Sequence, residues 1–144
     1  MSSIITDATL RRLEKIAQAA AAKSYSPYSK FPVGAAVLAA SGKIYGGCNV
    51  ENASYGLTHC AERTAICTAV TAGERHLRAV VIYTPTPTPT LPCGACRQFI
   101  NEFAPHATII STCASKLRKK TSLTELLPDA FGPAHLTTPA RHHR

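Results

Sequence analysis

No apolar run in this chain approaches the roughly 18 residues a membrane-spanning helix needs, so no span is expected. No repeat of solenoid length is present either, which removes the stacked-repeat architectures. Nor does the start read as an export signal. Met1-Ser2-Ser3 leads at once into an amphipathic pattern holding Arg11, Arg12, Glu14 and Lys15, and a cytoplasmic protein is therefore the expectation. In that compartment six cysteines stay reduced, so the cysteine pattern is read as metal binding rather than as a disulfide framework.

Acidic residues are scarce, eight against sixteen Lys and Arg, for a formal charge of +8. Such an excess can attract a polyanion. Here much of it is local: Lys116, Arg118, Lys119 and Lys120 form one cluster, and Arg141, His142, His143 and Arg144 another. A solvated loop and a flexible basic tail over 137–144 account for both, and nucleic acid is not expected as the main partner. What is present in quantity is apolar surface, 45% of 144 residues. That suits a single domain spanning 1–144 with a real core.

From Thr6 to about Ala22, Leu10, Leu13, Ile16, Ala17, Ala20 and Ala21 recur at helical spacing, with Thr6 as cap. Pro27 breaks that helix. Val33 to Ala40 and Lys43 to Val50 read as two strands around a Ser41-Gly42 turn. Their small residues mark strands that helices approach closely. A second helix over Ala61 to Ala72 has no charge from Thr64 to Gly73, so it should be covered on all sides, by a sheet and by a subunit or the core. Arg78 to Tyr83 reads as a strand. Thr84 to Thr90 alternates Thr with Pro and should run extended over the surface. A third helix begins near Cys93 and stops at Pro105, Thr108 to Thr112 is a strand, and Thr124 to Leu127 is one helical turn before Pro128. Between Cys113 and Ser122 no turn signal defines a hairpin.

The chemistry concentrates between Cys60 and Cys96. Cys93-Gly94-Ala95-Cys96 alone fits a redox pair, a structural zinc knuckle or a metal grip. Cys60-Ala61-Glu62 narrows the choice. Three thiolates at two helix starts would hold one zinc ion per chain and leave its fourth position open, the mark of a catalytic site. Glu62, two residues after Cys60, is then the general acid and base, which is the apparatus for hydrolytic removal of an amino group from a pyrimidine. His59 stands three residues before Glu62 and does not fit the spacing. Three thiolates weaken the acidity of zinc, so a hydrogen bond to sulfur from Arg63 or Arg97 would restore it, Arg63 being favoured as the neighbour of the first ligand segment. Cys48, Cys67 and Cys113 read as small buried hydrophobes.

These segments, together with Ser26-Pro27-Tyr28-Ser29-Lys30-Phe31-Pro32-Val33-Gly34-Ala35-Ala36, Gly47-Cys48-Asn49-Val50-Glu51-Asn52-Ala53-Ser54-Tyr55-Gly56 and Glu125-Leu126-Leu127-Pro128-Asp129-Ala130-Phe131-Gly132-Pro133, resemble the small homotetrameric zinc-dependent cytidine deaminases. The resemblance implies an α/β three-layer sandwich, a five-stranded mixed sheet flanked by helices. It implies that Asn49 and Glu51 bond the ribose, that Phe31 packs on the pyrimidine, and that the backbone of Ala61 helps read the base. Tyr55 and Phe131 would reach a neighbouring subunit's site in a homotetramer with shared active sites. Leu91 stands where the family often has Ser, and the Thr-Pro run is unusual for it. The implied activity is hydrolysis of cytidine and 2'-deoxycytidine. The alternatives are deamination of another cytosine nucleoside such as an antibiotic, a polynucleotide-binding or editing protein using the basic loop, and a purely structural zinc protein.

Overall fold

The computed structural model describes residues 4–137, and the basic tail from 138 onward lies outside the described residues. Helix α1 (Asp7–Ala21) is capped by Thr6, whose side chain accepts from the Thr9 amide, and its apolar stripe buries Leu13, Ala17 and Ala21. Strands β1 (Gly34–Ala39) and β2 (Ile44–Cys48) follow as an antiparallel pair. Gly42 in their turn has φ +90°, a conformation glycine adopts without steric cost. After a single 3-10 turn at Tyr55–Leu57 come α2 (Ala61–Thr71), β3 (Leu77–Tyr83), α3 (Gly94–Phe103), β4 (Thr108–Thr112), β5 (Arg118–Ser122) and α4 (Leu123–Leu126).

The sheet has the order β2-β1-β3-β4-β5. β3 and β4 are parallel and the other neighbours antiparallel, so the five-stranded mixed sheet is as expected. Alternation along the strands divides the core. Ala36, Leu38, Ala79, Val81 and Ile110 face Leu13 and Ala17 of α1, while Ala35, Val37, Val80, Ile82 and Ile109 face Ala65, Ile66, Ile100 and Leu123 on the other side. Helices therefore cover both faces.

Small residues set how close those helices come. A Cβ on Gly34 would lie 1.8 Å from the Ala17 carbonyl oxygen, and one on Gly47 2.3 Å from the Ala65 amide nitrogen. The strands cannot carry side chains there, which is why their sequence looks weak for β structure. Close packing of α2 on β2 puts the start of α2 beside the end of β2, where Asn49 and Glu51 stand.

Three expectations need correction. On the face of α2 away from the sheet, Cys67, Thr68, Thr71 and Ala72 are exposed in the single chain, the uncharged face that the sequence leaves to a subunit. Cys67 is accordingly no buried hydrophobe. The Thr-Pro run does not simply stretch over the surface: Thr84 is fully buried, and its hydroxyl bonds those of Thr86 at 2.7 Å and Thr90 at 3.4 Å, so the segment doubles back. The basic cluster contains β5, which pairs with β4 from Thr108↔Ser122 to Thr112↔Arg118.

Candidate metal centre and active site

Cys60 and Cys93 are the N-cap residues of α2 and α3, each in extended backbone geometry with no side-chain capping bond. Their thiols are thus left to project beyond two helix ends whose free amides favour negative charge. Cys96 follows one turn into α3 and is buried. The sulfurs of Cys60, Cys93 and Cys96 all lie within 4.8 Å of one another, with Cys60 and Cys93 at 3.9 Å. Two thiolates at about 2.3 Å from one tetrahedral zinc sit about 3.8 Å apart. The donor set and its spacing fit that ion.

Charge at the cluster is unevenly held. The hydrogen bond from Cys96, followed by the bond and charge of Arg63, pulls the Cys60 thiol down to about 5 against the cost of burial. Cys96 moves the other way, raised by its bond to Cys60, by burial and by the nearby carboxylate of Glu62. Without metal, then, negative charge favours Cys60 over Cys96. Arg63 Nη2 donates to Cys60 Sγ at 3.3 Å and to the Thr58 carbonyl at 3.2 Å. Arg97 does not reach the sulfurs. Its Nε donates to the Pro92 carbonyl at 2.8 Å and its Nη1 to that of Leu126 at 3.0 Å, which corrects the suggestion that it tunes the metal: it braces the ligand loop against α4.

Glu62 sits in the first turn of α2 and is only 5% exposed. Burial pushes its carboxyl above the usual carboxylate range, and the Cys60 charge pushes the same way. It lines a cavity of about 390 Å³ together with Cys60, Cys93, Ala61, Phe31, Asn49 and Glu51. A buried carboxyl, a metal-type thiol cluster and a largely apolar cleft thus share one space, the size of a small-ligand site.

Asn49 and Glu51 are held by local bonds before any ligand enters. Asn49 Oδ1 accepts from the Val33 amide at 2.9 Å and from Ser24 Oγ, and its Nδ2 donates to the Phe31 carbonyl at 2.8 Å. Glu51 Oε1 accepts from the amides of Tyr28 and Ser29 at 2.9 and 3.1 Å, and its Oε2 from Ser29 Oγ. The Ser29 hydroxyl, foremost, lowers the Glu51 pKa. Counting capacity, Asn49 retains one amide N–H and Glu51 retains lone pairs. A donor and an acceptor remain side by side.

Tyr55 and Phe131 are not in this cavity. Tyr55 is 75% exposed beside Tyr28, at 5.8 Å between rings, and Phe131 stacks on His135 at 5.3 Å. His59 turns its Nε2 toward Cys67 Sγ, 3.9 Å away, and its backbone pairs with Val50. Sequence reasoning missed Ser24 and Ser29, the hydroxyls that orient Asn49 and Glu51, and Thr84 and Thr90, which line the cavity opposite them. The one signal for the serines was their place within three residues of the Pro27 break; for the threonines there was only the Thr-Pro run.

Residues 8–112 match the family model described as the cytidine and deoxycytidylate deaminase zinc-binding region. The chain is 47% identical over 116 residues, 80% of its length and 85% of the relative's, to the cytidine deaminase of Sporosarcina psychrophila. It is 43% identical over 113 residues to that of Mycobacterium tuberculosis, covering 78% of this chain and 82% of the other. Among solved structures, the 1.6 Å crystal structure of cytidine deaminase from Burkholderia pseudomallei is similar with a TM-score of 0.82 at 45% identity, covering 88% of this chain and 100% of that one.

Proposed function

Because this chain belongs to the cytidine and deoxycytidylate deaminase family, we propose that it hydrolyses cytidine and 2'-deoxycytidine to uridine and 2'-deoxyuridine with release of ammonia, Glu62 moving the protons. The single observation that carries the reading is a buried Glu62, its pKa raised by burial, in the same cleft as the three-sulfur cluster.

Cys60, Cys93 and Cys96 would hold one zinc ion. When bound, zinc supplies the Lewis acidity that makes water nucleophilic at neutral pH. The chain does the rest. Glu62, whose pKa burial raises, donates a proton to N3 of the pyrimidine, which makes C4 electrophilic. Water adds its oxygen to C4 and yields a proton to the Glu62 carboxylate. Protonated again, Glu62 passes that proton to the exocyclic amino group, the C4–N bond breaks and ammonia leaves, and the remaining hydroxyl proton returns to Glu62 as the C4 carbonyl forms. Arg63, through Cys60, withdraws charge from the thiolates and is a positioning and tuning residue.

Asn49 and Glu51 would take the ribose 3'-hydroxyl between them. A hydroxyl both accepts and donates, and Asn49 has one N–H left while Glu51 has lone pairs left. That match supports a free nucleoside over the bare base, since a site built for a hydroxyl rejects compounds without it. Phe31 would pack on the ring and the Ala61 backbone would read its edge. We further take 1–144 as one deaminase domain working in the cytoplasm as a homotetramer. What supports the tetramer is the exposure of Tyr55 and Phe131, poised outside their own cavity, and the uncharged open face of α2.

The test is ammonia release from cytidine, deoxycytidine and cytosine by the zinc-loaded protein. Turnover of both nucleosides but not of the base is expected. No turnover of any of the three, with one zinc retained per chain, overturns the assignment.

A further inference from the structure

Among the described residues only Lys30 and Asp129 hold a positive φ without being glycine, at 57° and 53°. A residue with a Cβ rarely takes that conformation, and it persists only where the surroundings hold it. Lys30 itself is exposed. It stands between Ser29 and Phe31, both of which line the catalytic cavity, and its amide closes a turn on the Ser26 carbonyl at 3.1 Å.

The two sides of this kink hold two different partners. Before it, the amides of Tyr28 and Ser29 donate to Glu51 Oε1 at 2.9 and 3.1 Å, and the Ser29 hydroxyl donates to Oε2. After it, the Phe31 carbonyl accepts from Asn49 Nδ2 at 2.8 Å, and the Val33 amide donates to Asn49 Oδ1 at 2.9 Å. One bond crosses the kink, from the Phe31 amide to Ser29 Oγ at 3.0 Å. An amide can only donate, so that bond leaves the Ser29 proton for Glu51. The backbone between Asn49 and Glu51 is fixed separately, by the pairing of Val50 with Tyr25 and His59. The directions of the two side chains are left to the loop that turns at Lys30.

We propose that Lys30 is a positioning residue for nucleoside binding: its left-handed backbone folds one short loop so that residues 28–33 aim Asn49 and Glu51 together at a single sugar hydroxyl. This rests on the assignment of that pair to the ribose 3'-hydroxyl. The backbone carries the effect rather than the ammonium. The Ser29 hydroxyl is the chief cause of the lowered Glu51 pKa, and the Lys30 charge only a lesser one.

The test compares kcat and KM for cytidine and 3'-deoxycytidine in the zinc-loaded parent, Lys30→Ala, Lys30→Asn and Lys30→Val. A site that bonds a hydroxyl rejects the compound lacking it, so the parent should prefer cytidine. Alanine drops the charge but keeps a plain Cβ, and asparagine visits the left-handed region readily, so both variants should keep that preference within about twofold. A branched Cβ at positive φ is an outlier that must move the loop. In Lys30→Val the preference should fall by at least about tenfold, since small misplacements of positioning groups cost that much, and it should fall through a raised KM for cytidine with KM for 3'-deoxycytidine little changed.

A loss in Lys30→Ala equal to that in Lys30→Val would put the effect in the charge and overturn the proposal. So would a zinc-loaded Lys30→Val that keeps the parent's preference. A parent that turns over both compounds alike overturns the 3'-hydroxyl assignment, and this inference with it. If Lys30→Val does not fold, Lys30→Gly decides. Glycine takes positive φ without steric cost, so its unfolding midpoint should exceed that of Lys30→Ala with the preference kept, and a midpoint at or below alanine's overturns the proposal.

Discussion

The guanidinium of Arg63 donates to the sulfur of Cys60, one helical turn back along the same chain segment. A residue at the start of α2 thereby takes charge from the ligand that caps α2. Removing that donor leaves three uncompensated thiolates and a less acidic metal. Arg63→Gln should lower kcat/KM by about 10- to 100-fold, the usual cost of losing a partner that orients a metal ligand, and move the alkaline-going limb of the pH–rate profile upward. An unchanged profile with an intact zinc content would deny Arg63 that role.

Arg97 serves as the contrasting case. It bonds the carbonyls of Pro92 and Leu126, so Arg97→Ala should cost about 1.5 to 3 kcal/mol of stability, as for hydrogen bonds from a charged donor. Urea unfolding reads this directly. The pH profile of the remaining activity should match the parent, since no sulfur loses a donor.

Glu62→Gln keeps the shape of the buried side chain and removes its ability to exchange protons. The rate should fall by at least about 10² to 10⁴-fold, the range general acid–base catalysis supplies, while zinc should stay bound if, as proposed, the three cysteines hold it. Ammonia release alongside metal analysis checks both halves. Retained turnover would favour a purely structural metal.

Stripping zinc with a chelator should expose the uneven charge of the cluster. With its thiol pulled down to about 5, Cys60 is a thiolate at pH 7, and thiolate is the species that alkylates. Iodoacetamide should therefore label Cys60 faster than buried Cys96, and zinc should protect it. Equal labelling of Cys60 and Cys96 in the metal-free protein would contradict the assignment.

Much of this was legible because local signals and tertiary needs coincide. The stripe of α1, the breaker Pro27 and the hairpin turn at Gly42 each act through near neighbours, and Cys60, Glu62, Cys93 and Cys96 announce themselves by spacing at two helix starts. β5 was not legible. Arg118, Lys119 and Lys120 alternate across an exposed edge strand with no apolar face to show a period, and charge on such edges discourages further pairing. The supporting hydroxyls of Ser24 and Ser29 were hidden for another reason: their partners, Asn49 and Glu51, lie far along the chain, and a serine near a proline reads the same whether or not a polar side chain later comes to rest on it.

Glu51 gives a pH prediction whose sign follows from its lowered pKa. A carboxyl depressed in the folded state adds stability that is fully present above its unfolded value, near the ordinary 4.5, and lost as pH falls through the folded value. Ser29→Ala removes the chief cause of the depression. At pH 7 the variant should unfold at lower urea than the parent, and the gap should narrow as pH drops below about 4.5. A gap independent of pH would assign the Ser29 effect to loop packing instead.

Gly47 tests how the fold places the site. A Cβ there would sit 2.3 Å from the Ala65 amide nitrogen and 2.8 Å from the Thr64 carbonyl carbon, backbone atoms that cannot rotate aside. Overpacking of a well-filled core costs about 1 to 3 kcal/mol and more where backbone must move, so Gly47→Ala should cost at least that. The strain falls between β2 and α2, the elements that carry Asn49 and the Cys60-Ala61-Glu62 segment. Whatever fraction folds should therefore show a raised KM for cytidine before it loses zinc, because Cys60 is also held by the Cys93 and Cys96 cluster while Glu62 and Asn49 ride on the two elements pushed apart. Gly42→Ala is the control. It meets no atom within 4 Å and bears only the strain of its positive φ, so it should lower the unfolding midpoint slightly and leave KM where it was.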